Sequence, residues 1–206
     1  MKSLLKLKNR RQLLWAFIKT ILMAVMLINL TACTENIRGA SPEEIEKLIK
    51  QEVTPDKSGY VWTAPELQVQ HYRMLFYGYN TVNYWLTATK SNLSTTNNTR
   101  FRLLIDANYG ANPGRQRNYS LAKSGDGVIW PLTNINRETG RCQFFNTLNF
   151  ACLFRERAEI ELSEDILTAN QHTGFVLTLE SQDTEYEQID LPAEYINALL
   201  RAVHGQ

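Results

Sequence analysis

Histidine and cysteine are scarce in this chain, with three of each among 206 residues. His71, His172 and His204 stand far apart, and no two lie at the spacing that a metal site on one helix or hairpin needs. The cysteines form no Cys-x-x-Cys pair, so a zinc ribbon and a thioredoxin-like redox motif are both excluded. Also missing are a Gly-x-Ser-x-Gly elbow, a phosphate loop, a dinucleotide fingerprint and a calcium loop. Serine, aspartate and histidine all occur, but coexistence of residue types is no triad. No catalytic set, metal or cofactor is therefore expected. Two carboxylates stand out singly: Asp106, where a strand would present it, and Asp126, in a turn that favours Asp for backbone reasons alone.

Long apolar runs are scarce too. Ile21 to Leu30 is the one near the amino terminus, and Lys19 interrupts its extension back to Leu13, so a spanning helix of about 20 apolar residues is not available. Lys2, Lys6, Lys8, Arg10 and Arg11 precede it with no acidic residue, the positive flank of an export leader. The run ends in Leu30-Thr31-Ala32-Cys33. That ending resembles the lipobox of bacterial lipoproteins, a likeness confined to about the first 35 residues. It implies removal of residues 1–32, diacylation of Cys33, usually acylation of its amino group, and a mature chain beginning at Cys33. Two or three acyl chains at ~0.8 kcal/mol per buried methylene would anchor it stably. An uncleaved signal anchor is the alternative; a generic leader explains the charge and the apolar core but not a cysteine directly after Leu-Thr-Ala. In the sorting rule of Gram-negative lipoproteins, Asp after the cysteine retains the protein in the inner membrane. Thr34 stands there instead, which implies an outer-membrane lipoprotein facing the periplasm.

The leader holds six basic residues and no acidic ones, which leaves 16 Lys and Arg against all 21 Asp and Glu, a net of −5 for the mature chain. A mildly acidic domain argues against nonspecific nucleic-acid binding. Charge is also segregated: residues 100–157 carry nine basic against four acidic, and residues 158–206 carry Arg201 against ten acidic. Arg155 and Arg157 are two apart, so on a strand they share a face. With Arg115 and Arg117 they are the candidate patch for an anionic partner. The competing reading is solvated strand edges together with pairing between the two regions.

With Cys33 lipidated, Cys142 and Cys152 are an even pair in an oxidising compartment, and a structural disulfide across a hairpin is expected. Residues 33–40 read as a polar tether and residues 41–206 as a single β-rich domain. Ser41-Pro42-Glu43-Glu44 is a capping box, and Ile45, Leu48, Ile49 and Val53 continue at helical spacing, which predicts a helix over 42–52 that packs on its own domain or docks near the membrane. Beyond Tyr60 the period becomes two. Strands are predicted at 67–77, 82–89, 101–105, 118–123, 128–132, 141–145, 151–162, 175–179 and 186–191, with a helical turn after Ser163 and a closing helix after Pro192. The fold class is mainly β, a β-sandwich or small antiparallel sheet system with short helices near both ends.

Tyr72, Phe76, Tyr77, Tyr79, Tyr84 and Trp85 crowd one hairpin. Burial as core is the favoured reading, and a glycan or peptide platform the alternative, with Tyr79 and Tyr84 the best candidates for exposed contacts. The Cys-to-Cys hairpin and the tail, a strand pair followed by Leu-Pro-Ala-x-Tyr-Ile and a helix, are similar to parts of proteobacterial envelope lipoproteins over roughly residues 140–203. That likeness brings no activity with it. The function expected is a lipid-anchored, non-enzymatic interaction or assembly module with an envelope protein partner. The alternatives are an envelope hydrolase acting on glycan or peptide through a carboxylate such as Asp106, and a binder of small ligands or glycans through the hairpin aromatics.

Overall fold

The computed structural model describes residues 37–72, 79–92, 99–146, 149–181 and 186–205. Residues 1–36, with the leader and Cys33, lie outside the described residues, as do 73–77 at the end of one expected strand. In chain order the described elements are α1 (Pro42–Glu46), β1 (Lys50–Val53), β2 (Gly59–Thr63), β3 (Leu67–Tyr72), β4 (Tyr79–Ser91), β5 (Thr99–Ala111), β6 (Leu121–Ser124), β7 (Ile129–Pro131), β8 (Thr133–Asn146), β9 (Asn149–Leu162), α2 (Glu164–Asn170), β10 (Phe175–Glu180), β11 (Tyr186–Leu191) and α3 (Ala193–His204). The fold is mainly β, as expected.

Alternation builds the sheets. Val82, Tyr84, Leu86 and Ala88 of β4, Phe101, Leu103, Ile105, Ala107 and Tyr109 of β5, and Phe154, Ala158, Ile160 and Leu162 of β9 are all buried on one face. Each large side chain among them contributes roughly 1.5–3 kcal/mol on burial. These strands are the middle of a seven-stranded antiparallel sheet ordered β1-β2-β4-β5-β9-β8, with β3 paired to the first half of β4 and β2 to the second. A four-stranded antiparallel sheet, β11-β10-β6-β7, adds Leu177, Leu179, Ile189 and Leu191 to the same core cluster, and α3 adds Tyr195, Ile196, Ala198 and Leu199. Buried hydroxyls cross between these layers. The Tyr84 hydroxyl donates to the Asp190 carbonyl at 2.8 Å, and the Tyr195 hydroxyl donates to the Pro65 carbonyl at 2.7 Å while accepting from the Leu86 amide at 3.2 Å.

Three expectations about elements need correction. The helix over 42–52 stops at Glu46, and Lys50–Val53 pairs instead with Tyr60–Thr63 of β2. The capping box forms as read, but five residues cannot hold a helix against a hairpin that satisfies the backbone of β1. Residues 37 and 38, expected in the tether over 33–40, are packed on the domain: Ile37 is buried in the core and Arg38 reaches Asp190 at 3.6 Å. Finally, the strand expected over 141–145 begins eight residues earlier, at Thr133. Cys142 and Cys152 are register partners across the β8–β9 hairpin, and the disulfide joins them.

Candidate binding face

The other face of the seven-stranded sheet carries the side chains that alternation sends away from the core. Register sets Gln68, Asn83, Asp106, Arg157 and Asn136 opposite one another across β3, β4, β5, β9 and β8, one polar row over five strands. The next row, two residues along each strand, holds Thr81, Asn108, Arg155 and Glu138. On the other side of the first row, Trp85 of β4 faces Leu104 of β5, which faces Glu159 of β9. Trp85 and Leu104 are both half-buried, an apolar pair set into a polar surface.

Asp106 is the centre of this face. Its residue is only 6% exposed, and it accepts from Arg155 Nε at 2.8 and 3.0 Å, from Arg155 Nη2, from Asn108 Nδ2 at 3.2 Å, and pairs with Arg157 Nε at 3.5 Å. Burial pushes its carboxyl upward, but the hydrogen bonds and charges of the two arginines outweigh that and hold it below its ordinary value. Glu66, in the loop before β3, moves the other way: partial burial, and then the negative charge of Asp106, raise its carboxyl. Gln68 Nε2 donates to Asn83 Oδ1 at 2.9 Å, and Arg102 Nη1 to Glu159 at 3.1 Å. The face is dense in donors and acceptors, and these guanidinium groups already have carboxylate partners on it.

The six residues expected to meet a partner are not brought together. Arg155 and Arg157 share the face as their spacing predicts, but around Asp106 rather than as free cations. Arg115 is exposed in the loop after β5. Arg117 is a correction: it is 4% exposed, its Nη1 donates to Glu187 at 2.6 Å and to the Tyr119 hydroxyl at 2.7 Å, and its guanidinium lies 4.5 Å from the Tyr109 ring centroid. Tyr84 is a second correction, being fully buried in the core face of β4. Tyr79 pairs with Tyr72 in the β3–β4 ladder, and its side chain lies outside the described residues. Among the described residues no group of three or more His, Cys, Asp or Glu is placed to hold a metal.

Sequence reading missed the buried polar network around Arg117. Glu156 accepts from the Tyr109 hydroxyl, from the Asn118 and Tyr119 amides at 3.0 and 3.1 Å, and from Arg137 Nε at 3.3 Å. This pins the 115–120 loop between β5 and β6, and Arg117–Glu187 ties that loop to β11. Burial raises the hydroxyl pKa of both Tyr109 and Tyr119, keeping them protonated donors. Elsewhere, a groove of about 400 Å³ between α2 and α3 is lined by Thr168, Gln171, Asn197, Leu200, Arg201 and His204. Arg201 is paired with Glu43 and Glu46, and His204 Nε2 lies 3.0 Å from Glu164. Comparison of the chain with protein-family models, with curated proteins and with solved structures found no match.

Proposed function

We propose that this protein is a lipid-anchored binding module of the bacterial cell envelope. Cys33 carries the lipid, and the folded domain holds a partner on the solvent face of its seven-stranded sheet. The observation that carries this reading is the Gln68–Asn83–Asp106–Arg157–Asn136 row, with Trp85 and Leu104 beside it. Antiparallel sheets commonly leave one face to water, and such a face needs no half-buried tryptophan at its middle. Its polar groups are fixed by cross-strand pairs and stand on rigid strands, so a partner meets a preorganised surface. The leader and lipobox support placement at the outer membrane, facing the periplasm.

The test is capture after mild crosslinking of the native lipidated protein in cells. Asn83→Arg would place a long cation on the row, and Thr178→Arg would do the same on the second sheet. A partner recovered in stoichiometric amount, lost with Asn83→Arg and kept with Thr178→Arg, is the expected result. Equal recovery from both variants, or recovery of nothing together with no ligand bound by the domain, counts against the module.

Hydrolysis of a cell-wall glycan on the same face is the second reading. One observation favours it: Glu66 and Asp106 are shifted in opposite directions, as a general acid and an ionised partner would be. Against it, the oxygens of Asp106 are occupied by Arg155, Arg157 and Asn108. Turnover of purified cell wall that disappears in both Glu66→Gln and Asp106→Asn would establish the hydrolase.

A further inference from the structure

We infer that the partner of this face is an uncharged oligosaccharide, held over Trp85 with its hydroxyls bonded to Gln68, Asn83 and Arg157 around the closed Asp106 cluster. The inference rests on the binding-module reading and names its ligand class. Three observations carry it.

The first is charge. Arg155 and Arg157 are paired to Asp106, Arg157 also approaches Glu138 at 3.8 Å, and Arg102 is paired to Glu159. A sulfated or phosphorylated ligand would have to break these pairs before gaining any new one. A neutral polyhydroxyl ligand needs no such exchange, because the guanidiniums of Arg155 and Arg157 keep N–H groups to share beyond those given to Asp106.

Spacing is the second. Neighbouring strands lie about 4.8 Å apart, so the row repeats a hydrogen-bonding side chain on the scale of one sugar ring. The amides of Gln68 and Asn83 and the guanidinium of Arg157 lie along it, offering both donors and acceptors to hydroxyls that are themselves both.

The third is the apolar content. A protein interface has a core depleted of charge and enriched in aromatic and aliphatic groups. Here Trp85 and Leu104 are the apolar pair among the rows just described, charged residues flank them on both sides, and the exposed Leu153 stands apart from them beyond Arg155. That is too little to drive a protein surface onto the face, yet it suits one sugar ring, whose C–H side packs on an aromatic ring while its hydroxyls stay with the polar groups.

The test uses the full lipidated chain in a detergent without a sugar headgroup, titrated with tetra-N-acetylchitotetraose and with cellotetraose while tryptophan fluorescence is followed. A heparin oligosaccharide serves as the anionic comparison. Saturable binding of at least one neutral probe is expected, weakened at least tenfold by Trp85→Ala and by Asn83→Arg, with heparin not preferred. Asn83 is half-buried on the solvent face, so Asn83→Arg keeps the test open should Trp85→Ala fail to fold; unchanged circular dichroism and melting qualify it. Failure of both neutral probes to saturate at 10 mM, binding unmoved by Asn83→Arg, or preference for heparin would each overturn the inference. If crosslinking yields a protein partner that Asn83→Arg abolishes while no neutral probe binds, the glycan assignment falls and the binding module stands. If neither partner nor probe is found, both fall.

Discussion

At the scale of single residues, the two clusters of charge in this protein work in different surroundings. Arg117 and Glu187 are each about 5% exposed or less, inside the body between the β5–β6 loop and β11. An ion pair of this kind contributes little net stability against well-packed apolar groups, but breaking it strands the remaining charge. Arg117→Met is therefore expected to destabilise by about 3–5 kcal/mol in chemical denaturation, and adding Glu187→Leu to recover most of the loss. Equal and additive losses would show that the two side chains do not act as a pair. Asp106 sits at the open face, where its arginines are about two-fifths exposed, so its pairing is screened and worth less. Its folded carboxyl lies below the ordinary 3.8, so its contribution is complete above that value and disappears as pH falls through the folded value. Stability measured from pH 6 downward should fall more steeply below about pH 4 in the natural protein than in Asp106→Asn. Identical slopes would remove Asp106 from the acid sensitivity of the fold.

At the scale of elements, what could be read from sequence was whatever a strand or cap declares locally. The β4–β5 pair, the Ser124–Gly127 turn, the capped α2 and the closing helix follow from periodicity and turn chemistry. The first half of β8, Thr133 to Gly140, did not, because it is an edge strand exposed along its length and Thr-Asn-Ile-Asn-Arg-Glu-Thr-Gly has no apolar face to alternate. Val53 misled in the opposite direction: its helical spacing from Ile45 is real, but the residue is exposed on β1 and packs no helix. Gly59 shows why β2 must begin where it does. A Cβ there would lie 2.1 Å from the Lys90 carbonyl oxygen, so Gly59→Ala is expected to loosen the β2–β4 ladder, read as faster amide exchange in β1 and β2 and little change in β9. The Cys142–Cys152 bridge closes a short loop at the far end of β8 and β9. Its removal by Cys142→Ala with Cys152→Ala should lower stability by up to about 3 kcal/mol through the unfolded state and leave binding on the distant Gln68–Asn83 side unchanged. Loss of binding without loss of stability would give the hairpin a functional part of its own.

For the molecule as a whole, the candidate face is a product of register. Positions 68, 83, 106, 157 and 136 come from five strands, and alternation shows only which residues of one strand share a side. It paired Arg155 with Arg157 correctly and said nothing of Asp106 between them. Charge segregation grouped Arg117 with them, since a loop that dives into the core looks the same in sequence as one that stays in solvent. Three residues, Thr34 to Asn36, separate Cys33 from the buried Ile37, and the four steps between those two residues span at most about 14 Å.

The proposed anchor at Cys33, with so short a linker, would bring the domain to an envelope ligand at an effective concentration that a soluble domain does not reach, and weak binding to the sheet face would then suffice. The lipid is thus expected to matter as much as the face. Replacing Cys33 by Ser should leave the leader uncut, with a mass larger by residues 1–32 and no acyl chains, and should halt sorting to the outer membrane. In density-gradient fractions the natural protein is expected with outer-membrane markers, and Cys33→Ser away from them. A Cys33→Ser protein that still reaches the outer-membrane fraction at the mature mass would show that the anchor is not on this cysteine.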